Sequence, residues 1–247
     1  MNRGEFLKSL AFGLGAAALF PRISSGDPAG PMILGGETEV NPHFASHGNG
    51  FGNRIAVTFD DGPTPRITEK VLSELEKHRM RATFFMIGQR VKAEPSLAKA
   101  VADAGHEIGN HSYTHPQLAK MPASRVEEEL SKTQDAIMEA TGKKPQWFRP
   151  PYGSFIRSTQ GPIAEKLGLG VVYWSVDPRD WSQPGVPVII SRVLAGAQPG
   201  SIILMHDLHP QTAEAVSTIF DGLQEKFFAF DNMSRLLGNP YPPSGLV

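Results

Sequence analysis

Thr58-Phe59-Asp60-Asp61-Gly62-Pro63-Thr64-Pro65 is the stretch whose reading decides the fold. The residues before it, Ile55-Ala56-Val57, extend it backwards as an apolar, β-branched run that reads as a buried strand, and Gly62-Pro63 ends that strand abruptly. Two carboxylates therefore sit at a strand's end. Side chains on a regular strand alternate between faces, so Asp60 and Asp61 converge on one site only if the chain turns there, which the Gly-Pro step allows. In different surroundings, two adjacent acids can divide labour, one binding a cation and the other accepting a proton. The alternative is an acidic turn without chemistry, since Asp-Gly is a common turn signal.

Working outward, residues 67–78 place Ile67, Val71, Leu72 and Leu75 at helical spacing between charges, and residues 82–87 form the next apolar strand, ending at Gly88. Leu97, Ala98 and Val101 mark another helix, with Pro95 near its start and Gly105 as its stop. A short third strand enters Gly109-Asn110-His111-Ser112-Tyr113-Thr114-His115-Pro116. On a helical turn or a tight loop, the four-residue spacing of His111 and His115 brings two imidazoles to one side. In isolation such a pair is more often surface chance. Beside a strand-end Asp pair in a chain without cysteine, one carboxylate and two histidines suit a divalent transition metal, with positions left for water and substrate.

Ser124-Arg125-Val126-Glu127 fits a capping box, opening a long helix with Val126, Leu130 and Ile137 on its apolar stripe and Gly142 as its stop. Trp147-Phe148-Arg149 reads as a strand running into Pro150-Pro151-Tyr152-Gly153, a stiff loop from which Arg149 can pair with a carboxylate. A helix over residues 162–167 leads to a strand over 170–176, which ends in Asp177-Pro178-Arg179-Asp180-Trp181. Residues 188–194 cover that strand, and residues 201–205 form the next one, ending in His206-Asp207. A further helix carries Ala215, Val216, Ile219 and Leu223, and residues 227–230 form a last short strand. Strands alternate with helices and end in polar clusters. Ligand sites of parallel α/β sheets and barrels lie at the carboxyl ends of strands, so these clusters are expected to share one rim.

The chain has 247 residues, 40% of them apolar, enough for one sizeable core. A formal charge of −1 and scattered cations argue against nucleic acid and anionic membrane surfaces as partners. No cysteine is present, which excludes disulfides, thiol nucleophiles and thiolate metal sites. The apolar run Ser9 to Phe20, after Arg3 and Lys8, is too short to span a bilayer and suits the core of a secretory signal over residues 1–25. Arg3-Gly4-Glu5-Phe6-Leu7-Lys8 resembles a twin-arginine export signal whose second arginine is replaced by Gly4. The expected location is periplasmic or extracellular, with no stable membrane span after processing. Residues 26–52, rich in Gly, Pro, Ser and Asn, read as a linker or a strap lying on the domain, 53–238 as one α/β domain and 239–247 as a tail.

The motifs, in this order, closely resemble those of the polysaccharide deacetylases of carbohydrate esterase family 4, over residues 54–237. The resemblance implies a distorted (β/α) barrel of seven parallel strands with its active site at the C-terminal rim. It implies Asp60 as the catalytic base, Asp61, His111 and His115 as metal ligands, and Arg149 as the residue orienting the base. It further implies the Tyr152 backbone N–H as an oxyanion donor, Asp180 as the support of a catalytic histidine and Trp181 as a wall of the sugar groove. The resemblance also implies Leu204 as the lining of an acetyl pocket and His206 as the general acid. The implied cofactor is a divalent transition metal, with Zn2+ first and Co2+, Ni2+, Mn2+ or Fe2+ as alternatives, and the implied substrate is an acetylated glycan. Other readings are an esterase for O-acetyl groups, a hydrolase for a small cyclic amide, or an inactive glycan binder. The two-histidine, one-carboxylate set also occurs in iron oxygenases, with the acid placed differently.

Overall fold

Strand and helix alternate along the computed structural model, which describes residues 44–238. The strands are β1 (Phe44–Ala45), β2 (Arg54–Asp60), β3 (Thr83–Met86), β4 (Glu107–Asn110), β5 (Trp147–Phe148), β6 (Gly170–Val172), β7 (Ile202–His206) and β8 (Ala229–Asp231). Between and after them run α1 (Ile67–Lys77), α2 (Gly88–Ala93), α3 (Pro95–Asp103), α4 (Ala123–Thr141), α5 (Arg157–Lys166), α6 (Val186–Gly196), α7 (Pro210–Glu225) and α8 (Met233–Leu237). Seven strands lie side by side in the order β1-β6-β5-β4-β3-β2-β7, all parallel, and β8 pairs with the start of β2. The sheet curls into the expected distorted (β/α) barrel. The signal over residues 1–25 and the tail over 239–247 lie outside the described residues.

Period-two alternation explains both the core and the site. Ile55, Val57 and Phe59 of β2, Phe84 and Met86 of β3, and Ile203 and Met205 of β7 all belong to the main core, shared with the apolar stripes of the helices. Val71 and Leu75 of α1 and Ile219, Phe220 and Leu223 of α7 join the same fully buried cluster. Each such side chain contributes roughly 1.5–3 kcal/mol by leaving water. The intervening residues form a second set. Ala56, Phe85, Trp147, Val172 and Ile202 pack with Met233 and Leu236 of α8, while Thr58, Asp60, Arg149 and His206 are buried polar groups further along the same strands. One set of strand positions is thus apolar near the strand starts and ionisable near their carboxyl ends.

The barrel closes irregularly between β6 and β7. Tyr173 N–H donates to the Ala45 carbonyl, whereas Ser175 and Val176 N–H donate to that of Ile202, so the chain crosses from β1 to β7 within a few residues. The expected strand over 170–176 therefore ends as a ladder at Val172, leaving a single bridge between Val176 and Ile203. Residues 44–48 occupy the other end of this seam, where His47 bridges Ser201. Two helix starts also differ from expectation. Extended Pro122 precedes α4, which makes no side-chain cap bond, so Ser124 lies inside the first turn and the capping box does not form. Helix α5 begins at Arg157 and carries Pro162 inside it, and Gly88, after the strand has stopped as expected, opens a further short helix, α2.

Candidate active site

Asp60 is the last residue of β2 and is 2% exposed. Its Oδ1 accepts a hydrogen bond from Arg149 Nη1 at 2.8 Å, and the same nitrogen donates to Thr58 Oγ1 at 2.7 Å. Arg149 Nη2 donates to the Tyr173 carbonyl at 3.0 Å, and the guanidinium lies 4.2 Å from the centre of the Phe85 ring. Charge-assisted bonds and an aromatic face hold the fully buried cation in one place. Asp60 is thereby fixed in orientation.

Asp61 departs from the strand, with φ of 75°. This left-handed residue swings its carboxylate away from the alternation, as convergence of the two acids requires. Its Oδ1 lies 3.4 Å from His111 Nε2 and 3.1 Å from His115 Nε2, and Asp60 Oδ2 stands 3.7 Å from His111 Nε2. Burial acts to raise the Asp61 pKa, but the two imidazoles outweigh it and hold the carboxyl well below the usual carboxylate range.

The histidines come from the loop after β4. His111 Nδ1–H donates to the Arg149 carbonyl at 2.7 Å, which turns Nε2 towards Asp61. Ser112 and His115 both have positive φ, 62° and 60°, so the loop reverses tightly enough to bring the second ring back, with centroids 4.9 Å apart. Two further residues, Glu129 from outside the motifs and Asn110 from within the second, fix this loop. Glu129 of α4, 6% exposed, accepts from Tyr113 N and Thr114 N through Oε2 and from Thr114 Oγ1 through Oε1, each at 2.8 Å. Asn110 Oδ1 accepts from Ser112 N, while its amide nitrogen donates to the Leu130 carbonyl. In sequence Glu129 is one acid among several on a helix, and only its burial marks it.

The donor set suits a cation. One carboxylate oxygen and two imidazole nitrogens lie within 4.8 Å of one another, and Asp61 Oδ1 is buried without a hydrogen bond. A buried carboxylate oxygen set against two imidazole nitrogens at 3.4 and 3.1 Å is costly unless a proton or a positive ion lies between them.

A second ion pair completes the rim. His206 ends β7 directly opposite Asp60 in the β2–β7 register. Its Nδ1–H donates to Asp180 Oδ1 at 2.7 Å, its backbone N–H donates to Asp180 Oδ2 at 2.8 Å, and Thr212 Oγ1 donates to the same oxygen at 2.6 Å. Burial alone would lower the His206 pKa, yet the hydrogen bond and charge of Asp180 prevail and push it up to about 9. Next to it, burial pushes the Asp207 carboxyl up to about 7, against the hydrogen bond from Thr68.

The remaining predicted residues frame this rim. Tyr152, 65% exposed, has φ of 57° in a 3-10 turn after β5, and its ring meets His115 edge-on at 4.6 Å. Trp181 is 53% exposed in the turn that carries Asp180, and Leu204 of β7 is buried. A large exposed groove elsewhere, between α1 and α3, contains none of the predicted site residues.

Comparison with known proteins bears on this arrangement. Residues 47–172 match the polysaccharide deacetylase family. The peptidoglycan-N-acetylglucosamine deacetylase PgdA of Listeria monocytogenes is 40% identical over 185 residues, 75% of this chain but only 39% of its own length. A chitooligosaccharide deacetylase of a Bradyrhizobium species is 39% identical over 218 residues, 81% of this chain and 99% of its own. Among solved structures, a pseudoenzyme of carbohydrate esterase family 4 from Bacillus anthracis superposes with a TM-score of 0.75. It is 35% identical, covering 79% of this chain and 69% of its own.

Proposed function

The chain belongs to the polysaccharide deacetylase family, carbohydrate esterase family 4, and from that membership we propose a metal-dependent hydrolase that releases acetate from N-acetylated sugars of a glycan. The observation that carries the proposal is the convergence of two independently built groups on one rim. Asp61, His111 and His115 form a three-donor set, and beside it stand the Arg149-held Asp60 and the Asp180-held His206.

Asp61, His111 and His115 would hold the cation, and zinc suits such a set of two imidazoles and one carboxylate. When bound, the ion supplies Lewis-acid polarisation of the acetyl carbonyl and a lowered pKa for water. Asp60, oriented by Arg149, takes the proton from the attacking water. The Tyr152 N–H donates to the oxyanion that develops on the carbonyl oxygen. His206, carrying a proton on the nitrogen not engaged by Asp180, delivers it to the departing amine. Trp181 walls the sugar and Leu204 lines the acetyl methyl pocket.

A close likeness to a pseudoenzyme shows that fold alone does not decide activity in this family. The reading as an active enzyme is supported by the complete residue set. The substrate proposal, an N-acetylated chitin-like or peptidoglycan-like glycan, follows the activities named for the relatives. We also assign export to the apolar run Ser9 to Phe20. The test is acetate release from N-acetylated chitooligosaccharides and from peptidoglycan, loss of that release with chelator, and its return with zinc. Release that is indifferent to chelation, or confined to O-acetyl esters, would overturn it.

A further inference from the structure

Asp207 is fully buried, yet the chemistry above makes no use of it, and its Oδ1 has no hydrogen-bond partner. It follows His206 at the end of β7 and lies against the turn that carries Asp61. Three contacts define this placement. Asp207 backbone N–H donates to the Asp60 carbonyl at 3.2 Å. Its Oδ2 accepts from the Thr68 hydroxyl, and Thr68 Oγ1 in turn accepts from the Thr64 backbone N–H at 2.7 Å. Both ends of the segment from Asp60 to Thr64 are thus tied to one residue. Between them, Gly62 lies so close that a Cβ there would fall 2.1 Å from Asp207 Oδ2 and 2.5 Å from Oδ1. Gly62 is glycine for room, because its φ lies outside the left-handed region that would itself demand one.

We infer that Asp207 is a positioning residue for the metal site: its carboxyl group, gripped by Thr68 and covered by Gly62, is the post around which the Asp60–Thr64 turn is wound, and it sets where Asp61 stands. The strand ladder fixes Asp60 but ends there. Asp61 lies one residue beyond it in a left-handed conformation, with its backbone N–H donating to the Phe85 carbonyl at 3.2 Å. Its carboxylate must come within reach of two imidazoles, and a turn free to relax by an ångström would lose that convergence. Partners that orient a ligand from behind typically change metal affinity by about 10–100-fold when removed.

The inference rests on the assignment of Asp61 as a ligand, and zinc binding tests the two separately. Zinc affinity of the purified full chain, measured by competition with a chromophoric chelator, is read beside thermal unfolding of the zinc-free protein. Asp207→Ala should weaken zinc by at least about tenfold, whereas Asp207→Asn, which keeps the volume and an acceptor for Thr68, should stay within about threefold. Thr68→Val, which cuts the link from Thr64 with little change of volume, should fall between them, and it carries the test if Asp207→Ala does not fold. Gly62→Ala should weaken zinc alone but add nothing on top of Asp207→Ala, where the clash is gone. Zinc affinity within about twofold of the parent in folded Asp207→Ala, or in Thr68→Val, overturns the inference provided Asp61→Asn weakens zinc. Equal losses in Asp207→Asn and Asp207→Ala also overturn it. If Asp61→Asn leaves zinc affinity intact, the ligand assignment itself fails.

Discussion

Replacing Asp180 by asparagine preserves volume and removes one charge from beside His206. Burial alone would lower the imidazole pKa, and the adjacent carboxylate reverses this, taking it from 6.5 to about 9. That rise corresponds to about 3 kcal/mol of preference for the imidazolium. Without that charge, burial is opposed only by the Asp60 and Asp61 carboxylates, and His206 should titrate well below 9. A full return to 6.5 would take the protonated fraction at about pH 8 from roughly nine-tenths to roughly 3%, an upper limit of about 30-fold on the loss of the form able to donate. The assay is kcat/KM for acetate release from an N-acetylated chitooligosaccharide across about pH 5.5–10. The parent should lose activity as pH rises through about 9. In Asp180→Asn the alkaline limb should move down from about 9 towards neutrality and the rate near pH 8 should fall by up to about 30-fold, while an activated aryl acetate, which needs no proton on its leaving group, suffers far less. Stability follows the same linkage. The folded-state pKa is raised, so the pair stabilises the fold fully below 6.5 and this contribution is lost as pH rises through about 9. The variant should lack that slope. An alkaline limb that stays near 9 in the variant, with losses equal on amide and activated ester, would refute the reasoning.

Other expectations follow from the same geometry. Asp61→Asn, His111→Ala and His115→Ala should each lower bound metal, whereas Asp60→Asn should keep its metal and lose turnover; metal analysis of the four purified variants checks this, and equal metal loss in Asp60→Asn and Asp61→Asn contradicts it. Glu129→Gln cannot accept three hydrogen bonds from the histidine loop and should weaken zinc by about tenfold, visible by chelator competition even where activity is not measured. Phe59→Ala, at a fully buried core position, should cost about 3–5 kcal/mol in denaturant unfolding without altering the ligands. Native protein isolated from its source should begin after the apolar run Ser9 to Phe20, and N-terminal sequencing of cytosolic material with Met1 intact would count against export.

The parts legible in the sequence are those governed by short-range rules. Alternating apolar residues in β2, β3 and β7, helical stripes in α1 and α7, and punctuation such as Gly142 with φ of 70° are local consequences of burial and backbone sterics. The motif residues were visible because they end strands, as Asp60 and His206 do, or lie in the polar loops that follow them. What the local pattern could not reveal depends on contacts far apart in the chain. The strand over 170–176 has the composition to continue past Val172, and it stops because β1 and β7 compete for its backbone donors across the seam. Glu129 looks like any helical acid until the loop 18 to 14 positions before it folds back and presents its N–H groups. Asp207 reads as the polar end of a strand until Gly62 is laid over it.

This division has a physical consequence for how the site can vary. The three donor residues and the two ion-paired residues stand at, or just beyond, strand ends whose positions are set by the barrel, and a barrel ladder tolerates many apolar substitutions if volume and alternation are kept. The angles at which those side chains leave the strands are set differently. They depend on left-handed residues at Asp61, Ser112 and His115, which are held by anchors: Asp207 with Thr68 for the first, and Glu129 with Asn110 for the histidine loop. A relative could therefore keep the barrel, and even every donor, yet lose function by loosening an anchor. Fold similarity at the level of a TM-score of 0.75, which this chain shares with a pseudoenzyme, is insensitive to such a change. Displacement of one ligand oxygen by about 1 Å is enough to miss the bond lengths of about 2 Å that a zinc site requires. The anchors are accordingly where activity and fold separate.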